Sequence, residues 1–167
     1  MSNIKSKFSI LIAILLLTSS SVVSEKKLPV FDDLVFPIMS PRISSNFGTR
    51  KHPIYKVSKH HNGLDLAAPR HSRIRSIASG VVVFSDKYKG YGNFIVIKHD
   101  NGLTSHYGHC HKLKVDIGSK VKSGQVIATV GSTGLSSGPH LHFEIRDNGK
   151  AMNPRNFLPG LNAEAKG

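Results

Sequence analysis

From about Arg42 onward, apolar residues come in short runs broken by Gly, Asn and Pro, the texture of strands joined by turns. Arg73 to Ser85 carries Ile74, Ile77 and Val81-Val82-Val83-Phe84, with Gly80 marking a bend or bulge. Asn93 to His99 holds the run Phe94-Ile95-Val96-Ile97. Asp100-Asn101-Gly102 then supplies the positive-φ positions of a tight turn and Leu103 to His109 returns, which predicts a hairpin. Lys114 to Ile117, Gln125 to Val130 and Leu141 to Arg146 read as further strands. No stretch beyond the first residues sustains a helical apolar period, and nothing repeats internally. The fold class expected is all-β.

The N-terminus reads differently. Lys5 and Lys7 precede an apolar run from Phe8 to Leu17, and small residues at Val22-Val23-Ser24 precede the charged Glu25-Lys26-Lys27. That is the anatomy of a signal peptide over residues 1–24, with an uncleaved anchor as the alternative. Its apolar core is shorter than the roughly 20 residues that span a bilayer. Residues 25–40, interrupted by Pro29 and Pro37, form a lead-in segment that carries no chemistry. A single domain then fills 41–160, and 161–167 is a C-terminal tail. The expectation is an exported protein of the periplasm or cell envelope, a monomer without a stable membrane span once the signal is removed.

Charge adds a partner class. Without Lys5 and Lys7 the chain keeps 21 basic and 10 acidic residues, a net +11 that is drawn to polyanions. The chain has no Trp and no aromatic–basic repeat on which bases could stack, so nucleic acid is not expected. Anionic polymers and peptide carboxylates of a cell envelope suit an exported protein better. Cys110 is the only cysteine, so no internal disulfide forms, and it reads as a small buried hydrophobe.

The candidate chemistry is carried by histidines. His140-Leu141-His142 on a strand aims both imidazoles at one side, since residues two apart share a face. Glu144 joins that face, as a ligand, as an acceptor for an imidazole N–H, or as a solvated charge; the second role is preferred. Leu141, Phe143 and Ile145 face the core. Upstream, His61-Asn62-Gly63-Leu64-Asp65 offers a nitrogen and a carboxylate oxygen, but four extended residues cover roughly 13 Å. The segment must curl to bring both to one ion, and Gly63 permits that. Two imidazoles and a carboxylate are donors that zinc takes while keeping a position open. In Ser105 to His111, alternation puts Tyr107, His109 and His111 on one face and His106 with Cys110 on the other. Spacing alone does not choose among these histidines, and Tyr107 can be a groove or a core residue.

These motifs, in order, resemble the lysostaphin-type zinc endopeptidases of bacterial cell walls. The match runs from about Ile43 to Pro159 through Phe47-Gly48-Thr49-Arg50, His52-Pro53, His61 to Pro69, Gly80-Val81-Val82, Gly90-Tyr91-Gly92-Asn93, Tyr107-Gly108-His109, Gly118 to Gln125 and Gly131 to Glu144. The resemblance implies a small antiparallel β-sheet domain with a substrate groove. It implies one Zn²⁺ per chain, held by His61, Asp65 and His142, with His109 and His140 as catalytic histidines. His71-Ser72 departs from the family's usual Gly-Thr turn, Ser137 from a common Thr, and Cys110 from Leu; none touches an implied ligand.

The activity implied is hydrolysis of the peptide cross-bridges of peptidoglycan by zinc-activated water, with the two histidines as acid/base and oxyanion stabilisers. A short one-domain export form points to D-alanyl–diaminopimelate bonds rather than glycine bridges. The alternative is a non-catalytic regulatory or binding module that activates another wall hydrolase; its mark, a missing ligand or catalytic histidine, is not found.

Overall fold

The computed structural model describes residues 30–40, 42–51, 57–158 and 160. The expected signal peptide, the start of the lead-in, the His52-Pro53 motif, Pro159 and the tail at 161–167 lie outside the described residues. The described chain is mostly antiparallel sheet, as the apolar pattern predicts. Its strands are β1 (Arg42–Ser45), β2 (Gly48–Lys51), β3 (Ser58–His61), β4 (Leu64–Ala67), β5 (Arg73–Arg75) and β6 (Gly80–Tyr88). They continue with β7 (Gly92–Lys98), β8 (Leu103–Leu113), β9 (Lys120–Val121), β10 (Val126–Val130), β11 (His140–Asp147) and β12 (Lys150–Met152).

The main sheet runs β1-β4-β11-β8-β7-β6-β9, with β10 bridging β5 and β8, and β12 on β11. β2 and β3 pair separately. The predicted hairpin is β7–β8, turning through Gly102 at φ 83°. One apolar face of this sheet makes the core: Leu64 and Leu66 of β4, Ile95 and Ile97 of β7, Tyr107 of β8, and Leu141, Phe143 and Ile145 of β11 are fully buried. Tyr107 is thus a core residue. Its hydroxyl accepts the Ile77 N–H at 3.0 Å and the Ser105 hydroxyl at 2.9 Å, so the phenol is not left dry and unpaired.

Two local expectations change. Lys114 to Ile117 is not a strand: β8 ends at Leu113 and the chain turns at Gly118, φ 85°. Val115 is buried there as an isolated anchor rather than as part of a ladder. The irregularity near Gly80 falls between Val82 and Phe84, where β6 slips register against β7.

The lead-in packs against the domain. Val35 N–H donates to Ile77 O at 2.8 Å, Ser79 donates to Asp33 Oδ2 at 2.7 Å, and Ile38 enters the core.

Candidate metal and catalytic site

β11 lies between β4 and β8, and its register places His142 directly across from Asp65 on one side and Gly108 on the other. β3 ends at His61, and the chain bends through Asn62-Gly63 into β4. Gly63 is not in the positive-φ region; its lack of a side chain matters for space. A Cβ there would collide with the Phe143 carbonyl and come within 2.8 Å of Glu144 Cγ, so only glycine lets β11 pass so close.

This packing brings His61, Asp65 and His142 together. His61 Nε2 lies 3.1 Å from Asp65 Oδ1 and 3.1 Å from His142 Nδ1, and His142 Nδ1 lies 2.9 Å from Asp65 Oδ1. The far nitrogens are committed elsewhere: His61 Nδ1–H donates to Asn46 O at 2.7 Å, and His142 Nε2–H donates to Glu144 Oε1 at 2.8 Å. The near nitrogens of the neutral rings therefore carry lone pairs. Two lone pairs and a carboxylate oxygen at such distances repel unless a proton or a cation sits among them. Donors about 2 Å from a tetrahedral zinc stand about 3.3 Å apart, close to this triangle, and two imidazoles with a carboxylate are a zinc donor set. The three residues are the group of potential metal ligands found among the described residues.

The electrostatics agree. Burial opposes ionisation of Asp65, but hydrogen bonds and charge from His142 and His61 outweigh it and hold the carboxyl well below the usual range. Burial opposes protonation of His142 too, yet the Asp65 and Glu144 carboxylates push it up to about 9. A positive charge belongs at this point.

Glu144 is fully buried and accepts the His142 N–H, the preferred of the roles open to it. Tyr91 and Arg146, which sequence reasoning did not single out, complete its surroundings. Tyr91 OH donates to Glu144 Oε1 at 2.8 Å, and Arg146 Nε donates to Oε2 at 2.6 Å, with Nη2 in ion-pair contact with the same oxygen at 2.6 Å. Burial raises Glu144, but the hydrogen bond and charge of His142, joined by Arg146 and Tyr91, outweigh it and lower the carboxyl to about 2. Arg146 was legible only as the next position on the His140-His142-Glu144 face.

His109 and His140 form the other wall, their ring centroids 4.7 Å apart, with His109 5.9 Å from His142. Each is held through Nδ1–H on a backbone carbonyl: His109 on Thr133 O at 2.7 Å, His140 on Gly138 O at 2.8 Å. Both acceptors belong to the Gly131–Pro139 loop. Burial, with His140 adding to it, lowers His109 to about 4, so its ring is neutral near pH 7.

Strict alternation on β8 fails here, and the failure puts His109 in the site. Tyr107 and Cys110 both enter the core, whereas His109 has φ 60° at a register slip between β7 and β8. Such a bulge re-aims one side chain across the sheet. His106 stays on the sheet face of its cross-strand partner Glu144 but does not line the cleft, and His111 is exposed. The cleft, about 340 Å³, is lined by all five candidate residues together with Tyr91, Asn62 and the loop residues Leu135, Ser136 and Ser137.

A small antiparallel β fold thus carries a candidate metal triad facing two further histidines across one cleft. The chain belongs to peptidase family M23, whose family model matches residues 59–154. It is similar to the DD-carboxypeptidase/endopeptidase Mpg of Neisseria meningitidis serogroup B, 46% identical over 118 residues, or 71% of this chain and 27% of that protein. It is also 46% identical over 98 residues to the murein hydrolase activator NlpD of Salmonella typhimurium, 58% of this chain and 26% of that one. Among solved structures, a zinc-containing peptidase from Vibrio cholerae superposes with TM-score 0.66 at 36% identity, covering 71% of this chain and 37% of that chain. The catalytic domain of lysostaphin from Staphylococcus simulans gives 0.64 at 30% identity, covering 70% and 90%. The chain spans about a quarter of the length of the curated relatives it matches.

Proposed function

We propose that this protein is an exported zinc-dependent endopeptidase that hydrolyses peptide cross-links of peptidoglycan. In this reading His61, Asp65 and His142 hold the metal, and His109 and His140 are the catalytic histidines. The observation that carries it is the convergence of both histidine sets on one cleft, each ring with one nitrogen pinned and the other available. When bound, zinc supplies Lewis acidity that polarises a carbonyl and lowers the pKa of water.

The chain's own residues then divide the proton work. His109, neutral and with Nδ1–H fixed on Thr133 O, offers Nε2 as an acceptor for the proton of the attacking water. His140 Nε2 lies 3.6 Å from Asp65 Oδ1 and faces the cleft beside His109. His140 is the second histidine of the pair, placed to hydrogen-bond a developing oxyanion. The proton on His109 passes to the leaving amine. The designation of Mpg as a DD-carboxypeptidase/endopeptidase supports the direct D-alanyl–diaminopimelate bond over a glycine bridge.

NlpD favours a second reading, a module that activates another wall hydrolase. The filled set of five site residues supports catalysis instead. His142→Ala and His140→Ala separate the roles. His142→Ala should lose zinc, measured by elemental analysis, together with activity. His140→Ala should keep about one zinc per chain and lose at least about 100-fold in rate. Unchanged wall hydrolysis in cells carrying His140→Ala would favour the activator.

A further inference from the structure

We infer that Arg146, assisted by Tyr91, is a positioning residue for the metal site, locking the Glu144 carboxylate so that His142 keeps Nε2–H on Glu144 and Nδ1 toward His61 and Asp65. The inference rests on the ligand set proposed above. Its basis is the accounting of Glu144's acceptors. The side chain is fully buried, and a buried carboxylate persists only where its oxygens are all engaged. Oε1 takes the His142 N–H and the Tyr91 hydroxyl, each at 2.8 Å. Oε2 depends wholly on Arg146, whose Nε and Nη2 both reach it at 2.6 Å. Nη2 also donates to the Tyr91 hydroxyl at 3.1 Å, closing a ring of bonds around the carboxylate.

The strand makes this ring rigid. Arg146 is paired with Thr104 of β8 and Ala151 of β12, so its backbone is held by a ladder on each side. Alternation along β11 places His140, His142, Glu144 and Arg146 in one row, from the cleft to the sheet's edge. Without Arg146, Oε2 has no donor and only the two bonds on Oε1 hold the carboxylate in place. His142 could then present an N–H instead of a lone pair to the cluster. A lysine cannot reproduce a planar two-point grip.

The test is the zinc dissociation constant of the full chain, by competition with a chelator, for wild type and for Arg146→Gln, Arg146→Lys, Tyr91→Phe, Glu144→Gln and the Glu144→Gln/Arg146→Gln double variant. Loss of such an outer partner typically costs about 10–100-fold in metal affinity. Arg146→Gln should fall in that range, Arg146→Lys should recover part of it, and Tyr91→Phe should lose less. The double variant should bind no worse than Glu144→Gln alone, because Arg146 acts through Glu144. Arg73→Gln, the same charge change on an exposed strand residue, should bind as wild type. Nitrogen-15 spectra of metal-free protein recorded above pH 9, where the His142 ring is neutral, should show a mixture of His142 tautomers in Arg146→Gln where wild type shows one. Wild-type zinc affinity in a folded Arg146→Gln, or losses that add in full in the double variant, would overturn the inference. If Arg146→Gln does not fold, wild-type affinity in Tyr91→Phe overturns it. Zinc retained by His142→Ala would instead overturn the ligand set itself.

Discussion

The four imidazoles of the candidate site each have a partner on the far nitrogen. Asn46, Thr133 and Gly138 offer backbone carbonyls and Glu144 a carboxylate, so each ring has a defined tautomer. His106 is the contrast. Its Nε2 meets Thr104 Oγ1 at 2.9 Å, its Nδ1 is buried with no partner, and burial lowers it to about 4. The unfolded chain takes up that proton near the ordinary value of about 6.5, the folded chain only near 4. The unfolded state thus binds more protons across this window, and stability falls as pH drops through it. His106→Leu should leave urea stability at pH 8 within about 1 kcal/mol and recover up to about 3 kcal/mol of the loss at pH 4. An unchanged acid slope would remove His106 from the account. The identities of His61, Asp65, His140 and His142 were open to reading as a motif. The carbonyls that fix them were not, because a backbone acceptor leaves no mark in residue type.

At the scale of elements, β11 is the strand whose alternation reads straight from sequence: polar toward the cleft, Leu141, Phe143 and Ile145 toward the core. β8 is the opposite case. Its slip at His109 depends on a left-handed backbone at a non-glycine residue, which residue type does not announce. Regular alternation would have buried His109 beside Tyr107. The stretch after Leu113 shows another limit, since a β-branched pattern does not separate a strand from an extended segment about to turn. Gly63 was expected to allow a curl; its larger service is to let β11 lie against the turn between His61 and Asp65. Gly63→Ala must push the Phe143 backbone away, which should cost about 1–3 kcal/mol in urea unfolding and weaken zinc binding as His142 moves from Asp65. Full zinc affinity in a destabilised Gly63→Ala would show that the triad does not depend on this contact.

For the whole molecule, the described part of the lead-in, residues 30–40, lies apart from the cleft. Described residues of the lead-in bond to Ile77, Ser79 and the Ser123 hydroxyl, and none lines the cleft. No helix among the described residues is long and apolar enough to cross a membrane. The basic balance of the chain, +13 overall, suits approach to an anionic polymer. The central claim, metal-dependent cleavage of wall cross-links, is tested most directly by digesting purified sacculi that carry direct D-alanyl–diaminopimelate cross-links. The zinc-loaded protein should convert cross-linked muropeptides to monomers, a chelator should stop it, and restored zinc should restart it. Fully zinc-loaded, folded protein that releases no monomers from these sacculi or from glycine-bridged ones would contradict the claim.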